Sequence, residues 1–206
     1  MLQVTEYEVI GKGRLRVCFD NGARLTLYRG EAKRAGLKEQ GCVTEEDYEL
    51  LLRELGKRAT RRAMHLLEQM DRTEHQLREK LARGDYPETC IEEAISYVKR
   101  FRYLDDLRYA CSYVRCHQEK LSRQNLAAKL AQRGVKRELI EQAIEEEYEA
   151  DETNQIRRLL VKRQFVPGTC DEKEFRRTYQ YLMRRGFSGS DVLREMRIVA
   201  MSGPGP

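Results

Sequence analysis

The feature that most constrains this chain is that it repeats itself. Thr73-Glu-His-Gln-Leu-Arg-Glu-Lys-Leu81 returns 49 residues later as Ser122-Arg-Gln-Asn-Leu-Ala-Ala-Lys-Leu130. A break follows each copy, holding Gly84 or Gly134 and then Tyr86 or Val135. Beyond it Ile91, Ala94 and Ile95 match Ile140, Ala143 and Ile144. A third copy lies 52 residues further on, where Leu182, Gly186, Phe187, Val192 and Met196 correspond to Leu130, Gly134, Val135, Ile140 and Ile144. Thr73 with Gln76 reads as a capping box, Ser122 with Asn125 as a weaker one and Asp171 with Glu174 as a variant. Thr178 stands where the earlier copies have Leu77 and Leu126, which makes the third copy the most divergent.

Apolar residues at helical spacing give each copy three helices. The first runs over about 59–70, 105–118 and 152–164, the second over 73–83, 122–132 and 171–185, and the third over 88–101, 136–149 and 190–200. A period near 50 residues with amphipathic helices predicts a stacked array whose units bury their apolar faces against neighbours. The expected fold is mainly α, a tandem array of three three-helix repeats.

The first 30 residues follow a different rule. Leu15, Val17 and Phe19 alternate with polar or small neighbours, as do Leu25 and Leu27, around the turn residues Asp20-Asn21-Gly22. A strand near Glu6–Ile10 pairs with this hairpin to make a three-stranded extension. Gly11-Lys12-Gly13 between them is too short for a phosphate loop. Tyr48, Leu51, Leu52 and Leu55 then form a helical face that is expected to end at Gly56. The expected organisation is a strand-rich extension plus helix over 1–56, repeats over 57–102, 103–150 and 151–200, and a disordered tail over 201–206.

Tyr103 to Val114 opens the middle repeat. Asp105 suits a helix N-cap, and Asp106 the first helical position, where negative charge meets the positive end of the helix dipole. Leu104 and Tyr109 have the spacing of a hydrophobic staple, while Tyr109, Ala110, Tyr113, Val114 and His117 follow the rhythm of a buried face. Adjacent aspartates on a helix point about 100° apart, which makes them a poor acid–base pair. His65, His75 and His117 fall on unrelated helices, and Gly186-Phe-Ser-Gly-Ser190 lacks the strand and glycine spacing of a nucleophile elbow. Cys111, Cys116 and His117 match no usual zinc spacing. No catalytic residue, cofactor site or metal site is therefore expected.

Six scattered cysteines, no apolar run of membrane length and no secretory start predict a cytoplasmic protein with reduced thiols. A formal charge of +5 permits an acidic partner without demanding one. The distribution says more. Residues 138–152 carry eight acids and no base. Cations gather instead at Arg53, Lys57, Arg58, Arg61 and Arg62, at Arg157, Arg158, Lys162 and Arg163, and at Arg176, Arg177, Arg184 and Arg185. Taken singly such residues are solvated helix faces. Recurring along an array, they are candidates for contact with a phosphate backbone or an acidic protein groove. If Arg157 and Arg158 are exposed, reversing both to Glu is expected to weaken binding without unfolding. Tyr181 offers a ring among the third cluster, whereas Tyr179 continues the buried face of Phe175 and Leu182.

Three tandem three-helix units, the glycine-aromatic or glycine-aliphatic breaks, and Leu104-Asp105-Asp106 followed by Arg108-Tyr109-Ala110 resemble the RecX family of bacterial regulators of the recombinase RecA. The resemblance covers about residues 1–200 and is most specific at 104–110. The strand-rich start looks like the extension of longer members from Gram-positive lineages. The resemblance implies a non-enzymatic modulator, mainly an inhibitor. It would lie in the groove of the RecA nucleoprotein filament and limit filament growth, recombinase activity and coprotease activity during DNA repair, recombination and the SOS response. It also implies weak contact with single- and double-stranded DNA. A monomer with no membrane partner is expected. The alternative that the arginines alone suggest is a free-standing helical-repeat DNA-binding protein.

Overall fold

The computed structural model describes residues 1–11, 13–166 and 170–201, with side chains through Arg197. The expected tail at 202–206 lies outside the described residues, and the last helix continues through Met201. The chain divides into two compact units, Met1–Asp105 and Asp106–Pro206.

The first unit opens with strands β1 (Leu2–Gly11), β2 (Arg14–Phe19) and β3 (Arg24–Tyr28), then a short helix α1 (Arg29–Arg34) and a two-residue strand β4 (Cys42–Val43). All pairings are antiparallel, in the order β3-β2-β1-β4. Tyr7 pairs with Val17 and Val17 with Leu25, so the alternation of β2 puts Leu15, Val17 and Phe19 on the buried face. The sheet thus has four strands against the three expected. Two residues are too few to show a period, and β1 is longer than Glu6–Ile10.

Helix α2 (Glu45–Gln69) is a single 25-residue rod. Thr44 caps it by accepting from the Asp47 backbone N–H at 3.1 Å, and Glu45, Glu46 and Asp47 fill its first turn. Its buried stripe, Leu51, Leu55, Ala59, Ala63 and Leu66, runs through Gly56 without interruption. The helix expected to end at Gly56 thus continues without a break to Gln69. Glycine costs about 1 kcal/mol in a helix interior relative to alanine. A Cβ at this position would come within 2.5 Å only of the exposed Glu93 carboxylate on α4 (Glu88–Arg100), a flexible side-chain end that can swing aside. Helix α3 (Glu74–Ala82) completes the unit, with Thr73 and Gln76 forming a reciprocal capping box. The sheet, α2, α3 and α4 share one core, reaching from Val4 to Leu104.

The second unit contains α5 (Asp106–His117), α6 (Arg123–Gln132), α7 (Arg137–Glu147), α8 (Glu152–Lys162), α9 (Glu172–Met183) and α10 (Gly189–Met201). Two cores form here. One gathers Ala110, Val114, Leu126, Leu130, Ile140 and Ala143, the other Ile156, Leu160, Phe165, Leu182, Phe187 and Val192. Thr178 is 1% exposed, occupying the repeat's leucine position in the core. The mainly helical class, the strand-bearing start and the three-helix repeats are as expected. Helix α5 begins at Asp106, which puts Asp105 in the N-cap position. Its buried ridge is Ala110, Cys111 and Val114. Tyr109, Tyr113 and His117 instead form a half-buried stack at its edge, with ring centroids 6.4 and 4.1 Å apart.

Within this unit the second and third repeats meet at the break after α9. The Ser122 backbone N–H donates to the Arg185 carbonyl at 3.3 Å, and the Asn125 side-chain amide to the Arg184 carbonyl at 2.9 Å. Gly186 lies directly over this junction with φ +79°. A second contact runs through Glu152, whose carboxylate accepts from the Arg123 N–H at 2.8 Å and from the Tyr148 hydroxyl at 3.1 Å. Burial, and the Glu152 charge beside it, push the Tyr148 phenol well above its ordinary range.

Candidate partner and nucleic-acid interface

The cationic candidates of the third repeat sit on α8, α9 and the residues that end them. Arg158 and Lys162 are one turn apart on α8, exposed to solvent. Arg163 ends α8 and Arg184 and Arg185 end α9. Tyr181 joins the two ends, because the Arg163 and Arg185 guanidinium groups lie 4.3 and 3.9 Å from its ring centroid. Each such contact contributes roughly 0.5–1 kcal/mol and holds two positive charges in a defined place. Among the described residues Lys162, Arg177 and Arg184 form no ion pair, whereas Arg176 meets Glu172 at 2.9 Å and Arg158 meets Glu119 at 2.9 Å.

Two candidates change role. Arg157 is half-exposed, but its guanidinium binds the Glu195 carboxylate at 2.5 Å, and Glu195 is only 1% exposed. The guanidinium of Arg194 lies 3.4 Å from the same carboxylate. Arg157 therefore neutralises a buried acid while staying exposed beside Arg158, so the two neighbours have different roles. Reversing Arg157 would put two carboxylates together. Arg157→Glu is expected to destabilise the protein by about 3 kcal/mol, reduced from the upper range for buried pairs because Arg194 remains. Arg158→Glu, on a fully solvated bridge, should stay within about 0.5 kcal/mol of the parent in urea unfolding.

Arg58 is the second. Its side chain is 18% exposed and bound to the Glu31 carboxylate at 2.5 Å. It also donates to the Thr26 carbonyl and lies 5.1 and 5.2 Å from the rings of Tyr28 and Tyr86. It joins the sheet to α2, whereas Arg53, Arg61 and Arg62 of that cluster are exposed on the helix surface with no ion pair among the described residues, and Lys57 meets Glu54 at 2.8 Å.

In the 104–110 signature, Leu104 is buried in the first core, Asp106 starts α5, Asp105 and Arg108 are exposed, and Tyr109 belongs to the edge stack. Cys111, Cys116 and His117 do not converge. Cys111 is buried beside Glu146, burial and then that carboxylate pushing its thiol up. His117 stacks on Tyr113 with its Nδ1 at 2.8 Å from the Tyr113 carbonyl. Among the described residues no three His, Cys, Asp or Glu side chains are placed to hold a metal ion. No helix there is long and apolar enough to cross a membrane. The acidic stretch is internally engaged in part. Arg115 clasps Glu147 at 2.8 and 2.5 Å, and that hydrogen bonding holds the carboxyl below its usual range.

The sequence reading missed an exposed aromatic row. Tyr97, Phe101 and Tyr103 have ring centroids 4.7 and 6.2 Å apart, with the Arg100 guanidinium 5.8 Å from the Phe101 ring. The signal was present as aromatics interleaved with Lys99, Arg100 and Arg102.

Comparison with known proteins gives this arrangement its context. Residues 59–97, 105–144 and 150–195 match the first, second and third three-helix domains of RecX. A Regulatory protein RecX from Vibrio parahaemolyticus is 35% identical over 132 residues, covering 63% of this chain and 84% of that protein. The chain belongs to the RecX family. A RecX from Clostridium botulinum (strain Alaska E43) is 24% identical over 208 residues and covers 98% of both chains, so that relative has a counterpart of the strand-bearing start. Two crystal structures share the fold. One, of regulatory protein RecX, has a TM-score of 0.61 at 21% identity, covering 93% of this chain and 97% of that one. The other, of RecX from Lactobacillus salivarius, has a TM-score of 0.57 at 18% identity, covering 72% and 98%. The three matched segments coincide with the three periods visible in the sequence. Their first helices are the C-terminal half of α2, α5 and α8.

Proposed function

We propose that this RecX-family protein regulates the recombinase RecA by binding, without catalysing a reaction. It acts as a cytoplasmic monomer that lies in the groove of the RecA–DNA filament and limits its extension. The observation that supports this most is the run of three RecX three-helix domains over residues 59–195. Repeat arrays contact partners over long surfaces, which suits a helical groove. The carboxylate-free cations Lys162, Arg177 and Arg184 of the last repeat are candidates for the acidic groove or the DNA within it.

The test is RecA ATPase and strand exchange on single-stranded DNA, with and without the protein. Both are expected to fall, and retention on RecA–DNA filaments at low salt should accompany the fall. A combined Lys162→Glu, Arg177→Glu and Arg184→Glu variant should lose roughly tenfold or more in inhibitory potency with its melting temperature unchanged. No retention, or no change in either activity, would sink the reading. The arginines also support direct DNA binding. That alternative wins if affinity for bare single strands equals affinity for the filament, with a salt slope of roughly −0.7 per neutralised phosphate.

A further inference from the structure

A cavity of about 360 Å³ opens in the first unit between the sheet, α2 and α3. Five of its lining residues are cations, Arg14, Arg58, Arg62, Lys80 and Arg83, and none is an acid. They come from β2, from two successive turns of α2, and from the end of α3. Arg58 forms a fixed floor. Glu31 and the Thr26 carbonyl hold its guanidinium, the Tyr28 and Tyr86 rings flank it, and its buried Nε has no hydrogen-bond partner. Around that floor Arg14, Arg62 and Lys80 meet no carboxylate within ion-pair distance among the described residues, and Arg83 has only Glu79 at 3.8 Å. Gly84 lets the turn close tightly, since a Cβ there would lie 3.0 Å from the Tyr86 ring.

Glu31 offsets Arg58, and the Asp85 carboxylate accepts from the lining Thr26 hydroxyl at 2.9 Å. Arg14, Arg62 and Lys80 still outnumber the acids about them, and an anion at their focus relieves their mutual repulsion. Several donors converging from different directions suit a tetrahedral, multiply charged group better than a planar single-charged carboxylate. Arginine forks bind phosphate oxygens two at a time. The volume is that of a small-molecule site, enough for one nucleotide-sized group. We infer that this cavity is a phosphate-binding site, filled by the phosphate of a nucleic-acid strand or of a free nucleotide. It stands independently of the RecA reading, because loss of phosphate binding and loss of RecA inhibition are read in separate assays.

The experiment titrates the full chain with inorganic pyrophosphate, ADP and a short oligothymidine, following heat of binding and melting temperature. Pyrophosphate is expected to bind, raise the melting temperature and compete with the oligonucleotide. Arg62→Glu combined with Lys80→Glu, both on exposed residues, should weaken all three ligands roughly tenfold or more, and Arg14→Glu alone should weaken them measurably. Tighter binding of the strand than of ADP identifies a strand as the source, and equal binding a free nucleotide. The inference is overturned if pyrophosphate neither binds nor competes, if polyglutamate competes equally well, or if both variants bind like the parent.

Discussion

Gly186→Ala is expected to cost about 2–4 kcal/mol in urea unfolding, far more than a glycine-to-alanine change at an open turn. Part of the cost is conformational, since φ of +79° is a region that a Cβ disfavours by about 1 kcal/mol. The rest is steric. The new Cβ would lie 2.6 Å from the Ser122 Oγ, 2.8 Å from the Asn125 Cβ and 3.1 Å from the Asn125 backbone nitrogen. Ser122 cannot turn away freely, because its hydroxyl caps α6 by accepting from the Asn125 N–H at 3.2 Å. If the break after α9 retreats instead, the hydrogen bonds to the Arg184 and Arg185 carbonyls are lost at about 1 kcal/mol each. Gly22→Ala is the control. Its φ is +82° with nothing within 4 Å of the added Cβ, so only the conformational cost of about 1 kcal/mol should appear. Equal costs for the two substitutions would mean that Gly186 does not set the contact between the second and third repeats. Ser122→Ala combined with Gly186→Ala should cost less than the two changes summed, because one removes the atom that the other strikes.

Arg58→Met should cost a similar amount in the first unit, about 2–4 kcal/mol. Methionine keeps the apolar stem against Tyr28 and Tyr86 but leaves Glu31, 14% exposed, with only the Tyr28 backbone N–H at 2.7 Å. Removing one partner of a largely buried ion pair is the expensive case, because the remaining charge is desolvated without compensation. The Thr26 carbonyl loses its guanidinium donor at the same time. Arg62→Met, one turn further along α2 and exposed, should stay within about 0.5 kcal/mol of the parent. Glu31→Gln added to Arg58→Met should recover part of the loss. A cost below about 1 kcal/mol for Arg58→Met would show that the join between sheet and helix does not depend on this pair.

The repeats were legible because capping and packing act locally. Thr73, Ser122 and Asp171 each accept from a backbone N–H three residues on, and the leucines four and eight residues after the first two, Leu77, Leu81, Leu126 and Leu130, are buried. Gly56 does not end its helix because the buried stripe continues past it through Ala59, Ala63 and Leu66, and packing of that stripe outweighs the cost of one glycine. Charge roles were harder to read. Arg58 and Arg157 look like their solvated neighbours in sequence, yet each flanks a buried stripe, Arg58 beside Leu55 and Ala59, Arg157 beside Ile156 and Leu160. Their partners lie 27 and 38 residues away, beyond the reach of any local pattern. The basic cavity was invisible for the same reason, since Arg14, Arg62 and Lys80 meet only through the tertiary fold.

The unbroken α2 rod also governs which length changes this protein can accept. Its N-terminal half holds Leu51 and Leu55 and its C-terminal half Ala63 and Leu66, all seated in one core. Each residue added or removed between them turns one half relative to the other by about 100° and shifts it by about 1.5 Å. One inserted residue would swing Leu51 and Leu55 off the core; three or four would nearly restore their phase but displace them along the axis. Insertions and deletions within residues 56–62 should thus be tolerated far less than in the exposed turns, so that the core of the first unit gauges the length of α2.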